Sequence, residues 1–247
     1  MKKFLVSLLV IVVVLVLVLF IGGQFFVGSA VKAGVNTFGP RVTQTNVHLD
    51  SASISPFSGS GTLTNLVVGN PQGWSDRNAF SLGSVAIDLE PRSVLGDQPV
   101  VINSIIIDQP QIVYETKIVS SNIGDLMKNI EASVGGGEKP ATKDEKPPRK
   151  LIVKKFVLRN AKVSLGVGAA AMTVPMPAVE LTDIGVKENG VTPAQLAFAV
   201  MRSVTTQVVS ATTDALGKSG STMGAAGADA LKRAGEGLKS LLGGGKK

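Results

Sequence analysis

Few residues in this chain are of a type that does chemistry. His48 is the only imidazole among 247 residues, and there is no Cys. Without Cys there is no disulfide framework, zinc–thiolate site, iron–sulfur cluster or cysteine nucleophile. With one His, a multi-histidine metal site is excluded and a hydrolytic triad would have to be built on His48. His48 sits between Val47 and Leu49 in a strand pattern, which predicts an exposed strand-face histidine, and no motif supplies it with an acid or nucleophile partner. Asp50, Asp88, Asp108 and Glu115 could in principle pair as general acid and base, but their spacing places them at strand ends and turns. Ser58-Gly59-Ser60-Gly61 lacks the strand–loop–helix setting and the Lys of a phosphate loop, and reads as a turn. The expectation is a protein that is not an enzyme, with no cofactor and no metal.

The elements that must position these residues are unevenly distributed. From Phe4 to Ile21 the only polar residue is Ser7. A helix of that length, at 1.5 Å per residue, spans roughly 27 Å, close to the hydrocarbon thickness of a bilayer. A cleaved signal peptide has a shorter apolar region, and here the run resumes at Phe25-Phe26-Val27. Residues 1–28 are therefore expected to be an uncleaved single-pass anchor. Lys2 and Lys3 precede it, which favours a cytoplasmic N-terminus with the bulk outside the cytoplasm. A short juxtamembrane stretch, 28–40, follows.

Residues 29–134 form a first strand-rich block. Val85, Ile87 and Leu89 alternate with polar neighbours within Leu82–Glu90, and Val47 and Leu49 do the same. Thr62–Val68 is another strand, closed by the turn Asn70-Pro71-Gln72-Gly73-Trp74, with Trp74 expected to pack against a strand. Val100–Ile107 and Gln111–Thr116 are strands broken at Asp108-Gln109-Pro110, and Ser121-Asn122 caps a helix over 123–131. Residues 135–150 are a Gly/Pro/Lys-rich linker, expected to be disordered. A second block, 151–191, carries strands at 151–158, 162–167, 171–174 and 179–186. Thr192-Pro193-Ala194-Gln195 is a capping box opening a helix that Gly217 should stop. Residues 218–247 carry an amphipathic helix, with Leu231, Leu238 and Leu241 on one stripe, and a basic tail. The fold class expected is α+β: a transmembrane helix, a curled, mostly antiparallel sheet or groove of about eight strands in a meander, and C-terminal helices.

The net charge of +7 raises the question of nucleic acid. Aromatics for base stacking are scarce and Lys is scattered, so nucleic acid is not an expected partner. Basic residues in the linker and tail could instead touch anionic lipid or simply keep the chain soluble.

Taken in order, the anchor, Gly34-Val35-Asn36-Thr37-Phe38-Gly39-Pro40, the run GTLTNLVVGNPQGW at 61–74, FSLGSVAIDLEPRSVLGDQPVVINSIIIDQPQIVYE and SNIGDLMKNI resemble the AsmA-like proteins of diderm bacteria over about residues 35–132, and 151–191 looks like a continuation. The resemblance implies a single-pass inner-membrane protein with a periplasmic β-groove related to bridge-like lipid-transfer proteins, handling phospholipid in support of outer-membrane homeostasis. Val85, Ile87, Leu89, Ile102, Ile106, Ile112 and Tyr114 are then the candidate lipid-facing or core side chains. About eight strands at 4.8 Å spacing give a groove on the order of 40 Å, too short to cross a periplasm alone. Two alternatives stay open. One is an interaction protein whose 192–242 helices bind a partner or form homo-oligomers. The other is a domain similar to stress-related late-embryogenesis-abundant sandwiches.

Overall fold

The computed structural model describes residues 27–95, 98–117, 120–135, 149–166 and 172–219. The apolar run 4–21, most of the linker (136–148) and the amphipathic tail helix lie outside the described residues. Among those described, no helix is long and apolar enough to cross a membrane. The architecture is α+β with one mixed sheet, in the order α1 (27–43), β1 (Val47–Ile54), β2 (Ser60–Gly69), β3 (Asn78–Leu89), α2 (Pro91–Leu95), β4 (Val100–Asp108), β5 (Gln111–Tyr114), α3 (Asn122–Gly135), β6 (Leu151–Arg159), β7 (Lys162–Leu165), β8 (Met172–Pro175), β9 (Val179–Ile184) and α4 (Pro193–Ser219).

The register shows that these strands are segments of six long ones. β4 and β5 lie end to end along β3, with a break around Gln109 and a one-residue register shift between Asp88 and Leu89. β6 and β7 lie end to end along β4 and β5, and β9 and β8 along β6 and β7. The interruptions fall on one line across the sheet: Asp50, Asn65, Gly83, Gln109, Asn160 and Pro177 occupy equivalent register positions. Asn65, Gln109 and Asn160 on that line have left-handed φ of 53°, 55° and 55°. Asn, with its short polar side chain, visits this region at low cost.

The line has a consequence for which side chains face the core. In β3, Phe80 and Leu82 face it before the break and Val85 and Leu89 after it, so the alternation slips by one residue. Every strand slips at the same level, so pairing survives on both sides of the line. The line is a crease across the sheet. It also separates the elements expected as a meander: β4–β6 and β5–β7 pair parallel, joined by the crossover through α3, while the other pairings are antiparallel.

Two stretches differ from the expectation at the ends. Residues 28–40 belong to a docked helix, α1. An added Cβ at Gly28 would collide with the Ala52 carbonyl oxygen, and one at Gly39 would lie 2.7 Å from the Val47 side chain. Between them Asn36 accepts from the Leu49 N–H (2.7 Å) and donates to its carbonyl (3.3 Å). α1 thus runs antiparallel along β1 and shields that edge of the sheet, whose backbone groups would otherwise invite another strand. At the other end, the helix continues through Gly217 to Ser219. Its capping box forms as the sequence predicts: Thr192 Oγ1 accepts from the Gln195 N–H (3.2 Å), and Gln195 Oε1 accepts from the Thr192 N–H (2.9 Å).

Candidate functional site

The core face of the sheet is built from rows of apolar side chains that cross all six long strands. On one side of the crease, Val47, Val68, Phe80, Ile112, Val163 and Val174 align in register. On the other, Ala52, Leu63, Val85, Ile107, Leu158 and Val179 do so. Five of the sequence-selected residues, Val85, Leu89, Ile102, Ile112 and Tyr114, are buried on this face, and Ile87 is half-buried against it. Ile106 is not part of it. It pairs with exposed Ala86 and with Val157 on the opposite face, because the alternation slips between Asp88 and Leu89 opposite Ile102 and again at Gln109. Ile105 and Ile107 take the core-side positions instead.

This face is covered. Ile123, Leu126 and Ile130 of α3, and Val204, Val208 and Ala211 of α4, are buried in the same cluster as the strands. The two helices are held differently. α3 is tied by hydrogen bonds at both ends. Its Asn122 is fully buried (0% exposed); it accepts from the Glu115 N–H (2.9 Å) and donates to the Asn70 side chain (2.7 Å) and the Val113 carbonyl (2.7 Å). Its Asn129 and Ser133 donate to the Thr43 and Val42 carbonyls at the end of α1 (3.0 Å each). For α4, the side-chain hydrogen bonds described beyond the capping box return to its own backbone, from Thr206, Thr212 and Thr213. Its Thr205 hydroxyl is buried without a partner, at a cost of about 1–3 kcal/mol. Apolar contact with α3 and with β7, β8 and β9 seats α4.

The Asn70–Trp74 turn, read from the sequence as turn chemistry, is one half of a latch. Asn70, Pro71, Gly73 and Trp74 close the β2–β3 connection, with Gly73 at φ 88°. The Glu115 carboxylate, 4% exposed, accepts from the Ser75 N–H (3.2 Å), the Ser75 hydroxyl and the Asn70 side chain (3.3 Å). Trp74 packs against helix α3, not a strand: its Nε1 donates to Asp125 (3.0 Å), while Lys117 Nζ lies 4.4 Å from the ring centroid and donates to the Gly73 carbonyl (2.7 Å). These hydrogen bonds fix α3 to the sheet. Glu115 could not be assigned to this cluster from sequence, because its partners lie 40 and 45 residues away.

The remaining chemical residues do not converge. His48 pairs with Asp50 on the exposed face of β1 (3.0 Å), and Asn65 donates to Asp50 (2.6 Å). Asp108 accepts from Asn160 (2.7 Å) and Arg159 (3.3 Å) at the crease. The Asn bonds hold both carboxyls, Asp50 and Asp108, below the ordinary Asp range. Among the described residues, no group of three or more His, Cys, Asp or Glu gathers to hold a metal ion. No protein-family model, curated protein or solved structure matches the chain.

Proposed function

We propose that this chain is a non-catalytic, inner-membrane-anchored periplasmic protein of the AsmA-like kind that handles phospholipid on the core face of its creased sheet, with α4 as a displaceable cover. One observation carries the reading: an apolar face crosses six strands and is covered on the α4 side by a helix seated through apolar contact. Acyl chains offer that face the same interaction as the α4 stripe, worth about 25 cal/mol per Å² of apolar surface kept from water. Exchange of helix for lipid therefore breaks few directional bonds, and the unpaired Thr205 hydroxyl lowers the cost of lifting α4. The anchored, periplasmic part of the reading rests on the apolar run Phe4–Ile21 and on Lys2 and Lys3.

A photoreactive benzoylphenylalanine at Ile105, on the core face, tests this in intact membranes. It is expected to give a phospholipid adduct by mass spectrometry, whereas the same group at Ile106, on the opposite face, gives none. No lipid adduct at Ile105, or equal adducts at both positions, would overturn the reading.

Coverage of the face by α3 and α4 in the closed form favours a second reading: a structural or interaction protein whose sheet is an ordinary core. Its C-terminal region, 192–242, would then bind a partner or a second copy through surfaces other than the buried Val204–Val208–Ala211 stripe. A stoichiometric protein adduct in place of lipid in the same irradiated membranes distinguishes it.

A further inference from the structure

The chain direction of α1 assigns one end of the sheet to the membrane. Gly28 lies at Ala52, Asn36 at Leu49 and Gly39 at Val47, so the start of α1 points toward the β1–β2 turn. The residues before position 27 enter the domain at that end. The register brings the same end of every other strand there: Ser60 beside Asp88, Leu89 beside Ile102, Val100 beside Leu151, and Val153 beside Ile184. The β1–β2 turn (55–59), α2 and the β9–α4 loop (185–190) therefore form one rim. Arg149 fastens it, donating to the Val94 and Ser93 carbonyls of α2 (2.8 Å each).

Among the described residues, the exposed large hydrophobic side chains are Phe57 (64% exposed) and Val186 (48%). Both are on this rim, Phe57 at the tip of the β1–β2 turn and Val186 in the β9–α4 loop, at opposite sides of the sheet. We infer that this rim rests on the bilayer from which the chain emerges, with Phe57 and Val186 inserted into the interface as two feet. Amphipathic surfaces bind a bilayer by burying apolar area at the boundary between head groups and acyl chains. Charge plays a small part, because Arg92, Arg149, Lys150 and Lys187 on the rim are offset by Glu90, Asp183 and Glu188, leaving an excess of one positive charge among these residues. The docked surface is therefore a lipid surface with no requirement for anionic head groups. With the rim seated, the core face stands upright on the membrane, its strands run away from the bilayer and its rows lie parallel to it.

The inference rests on the anchored reading above, and the experiment separates the two. The single native tryptophan, Trp74, lies in the β2–β3 connection at the far end of the strands, about 30 Å away at 3.3 Å per residue. It is a built-in reference. The full chain is reconstituted into zwitterionic phosphatidylcholine vesicles whose chains are brominated near the interface. The added tryptophan of Phe57→Trp, and separately of Val186→Trp, is expected to lose most of its emission to bromine while that of Trp74 is kept. The loss should be unchanged by added phosphatidylglycerol or by high salt. Emission from position 57 and from position 186 no more quenched than that of Trp74, in protein that resists alkaline extraction, overturns the docking while leaving the anchor intact. Extraction of the protein by alkali overturns both. A blue-shifted, unquenched signal that grows with protein concentration means that a second copy covers the rim, which also overturns it.

Discussion

At the scale of single residues, the crease depends on one repeated arrangement. An Asn in the left-handed region donates its side-chain amide to an Asp on the neighbouring strand: Asn65 to Asp50, and Asn160 to Asp108. A carboxylate is the better acceptor when ionised, which is why both carboxyls are held below the ordinary range, mainly by these bonds. A depressed folded-state value means that the stabilisation is complete above the unfolded value, about 3.9, and is lost as pH falls through the lower folded one. Melting temperature followed from pH 6 to pH 2 should therefore fall more steeply in the native protein than in Asp50→Asn/Asp108→Asn. Parallel curves would show that the pairs do not sense their ionisation. These pairs were visible in the sequence as scattered acids and Asn residues. Their partnership was not, because each bond spans strands whose register only the assembled sheet defines.

Among the elements, α1 is the one whose local sequence and packing disagree most. Gly28, Gly34 and Gly39 should weaken a helix of residues 27–43, and read locally they suggest an irregular stretch. Two of the three are required by the close approach to β1, while Gly34 has nothing within 4 Å of an added Cβ. Opposite outcomes are expected. Gly34→Ala should stabilise by about 0.5–1 kcal/mol through helix propensity. Gly28→Ala should destabilise by about 1–3 kcal/mol, since the helix must move off the edge strand. Chemical denaturation of the two variants measures both, and equal effects would mean that α1 does not hug β1 as described. α4 is the contrasting element. Its capping box was fully legible, since Thr192 and Gln195 need only each other, and so was its apolar stripe. The surface that the stripe buries against was not, because α4 meets strands from the distant second block.

At the scale of the whole molecule, the differing attachment of the two covering helices predicts uneven opening. α3 is bound through Asn122, Asp125, Asn129 and Ser133, and α4 through aliphatic contact. Local openings follow such differences in fastening. Amide hydrogen exchange in the middle of α4 should run at least about tenfold faster than in the middle of α3. Equal protection would mean that sheet and helices open as one unit and that α4 is no separate cover.

By itself, the sequence determined the strands, the two covering helices α3 and α4, and the chemistry of their residues. Each strand announces itself by alternation within a few residues, each cap by two neighbouring side chains, and the scarcity of His and Cys by composition alone. These are local properties, fixed by backbone geometry and solvent. Only the tertiary structure decided which strand segments join, where the alternation slips, and that Ile105 and Ile107, not Ile106, face the core. A slip of one residue reverses a side chain's face at almost no local cost, and it is tolerated here because all six strands slip on one line. That agreement is a property of the whole sheet, and no single strand's sequence carries it.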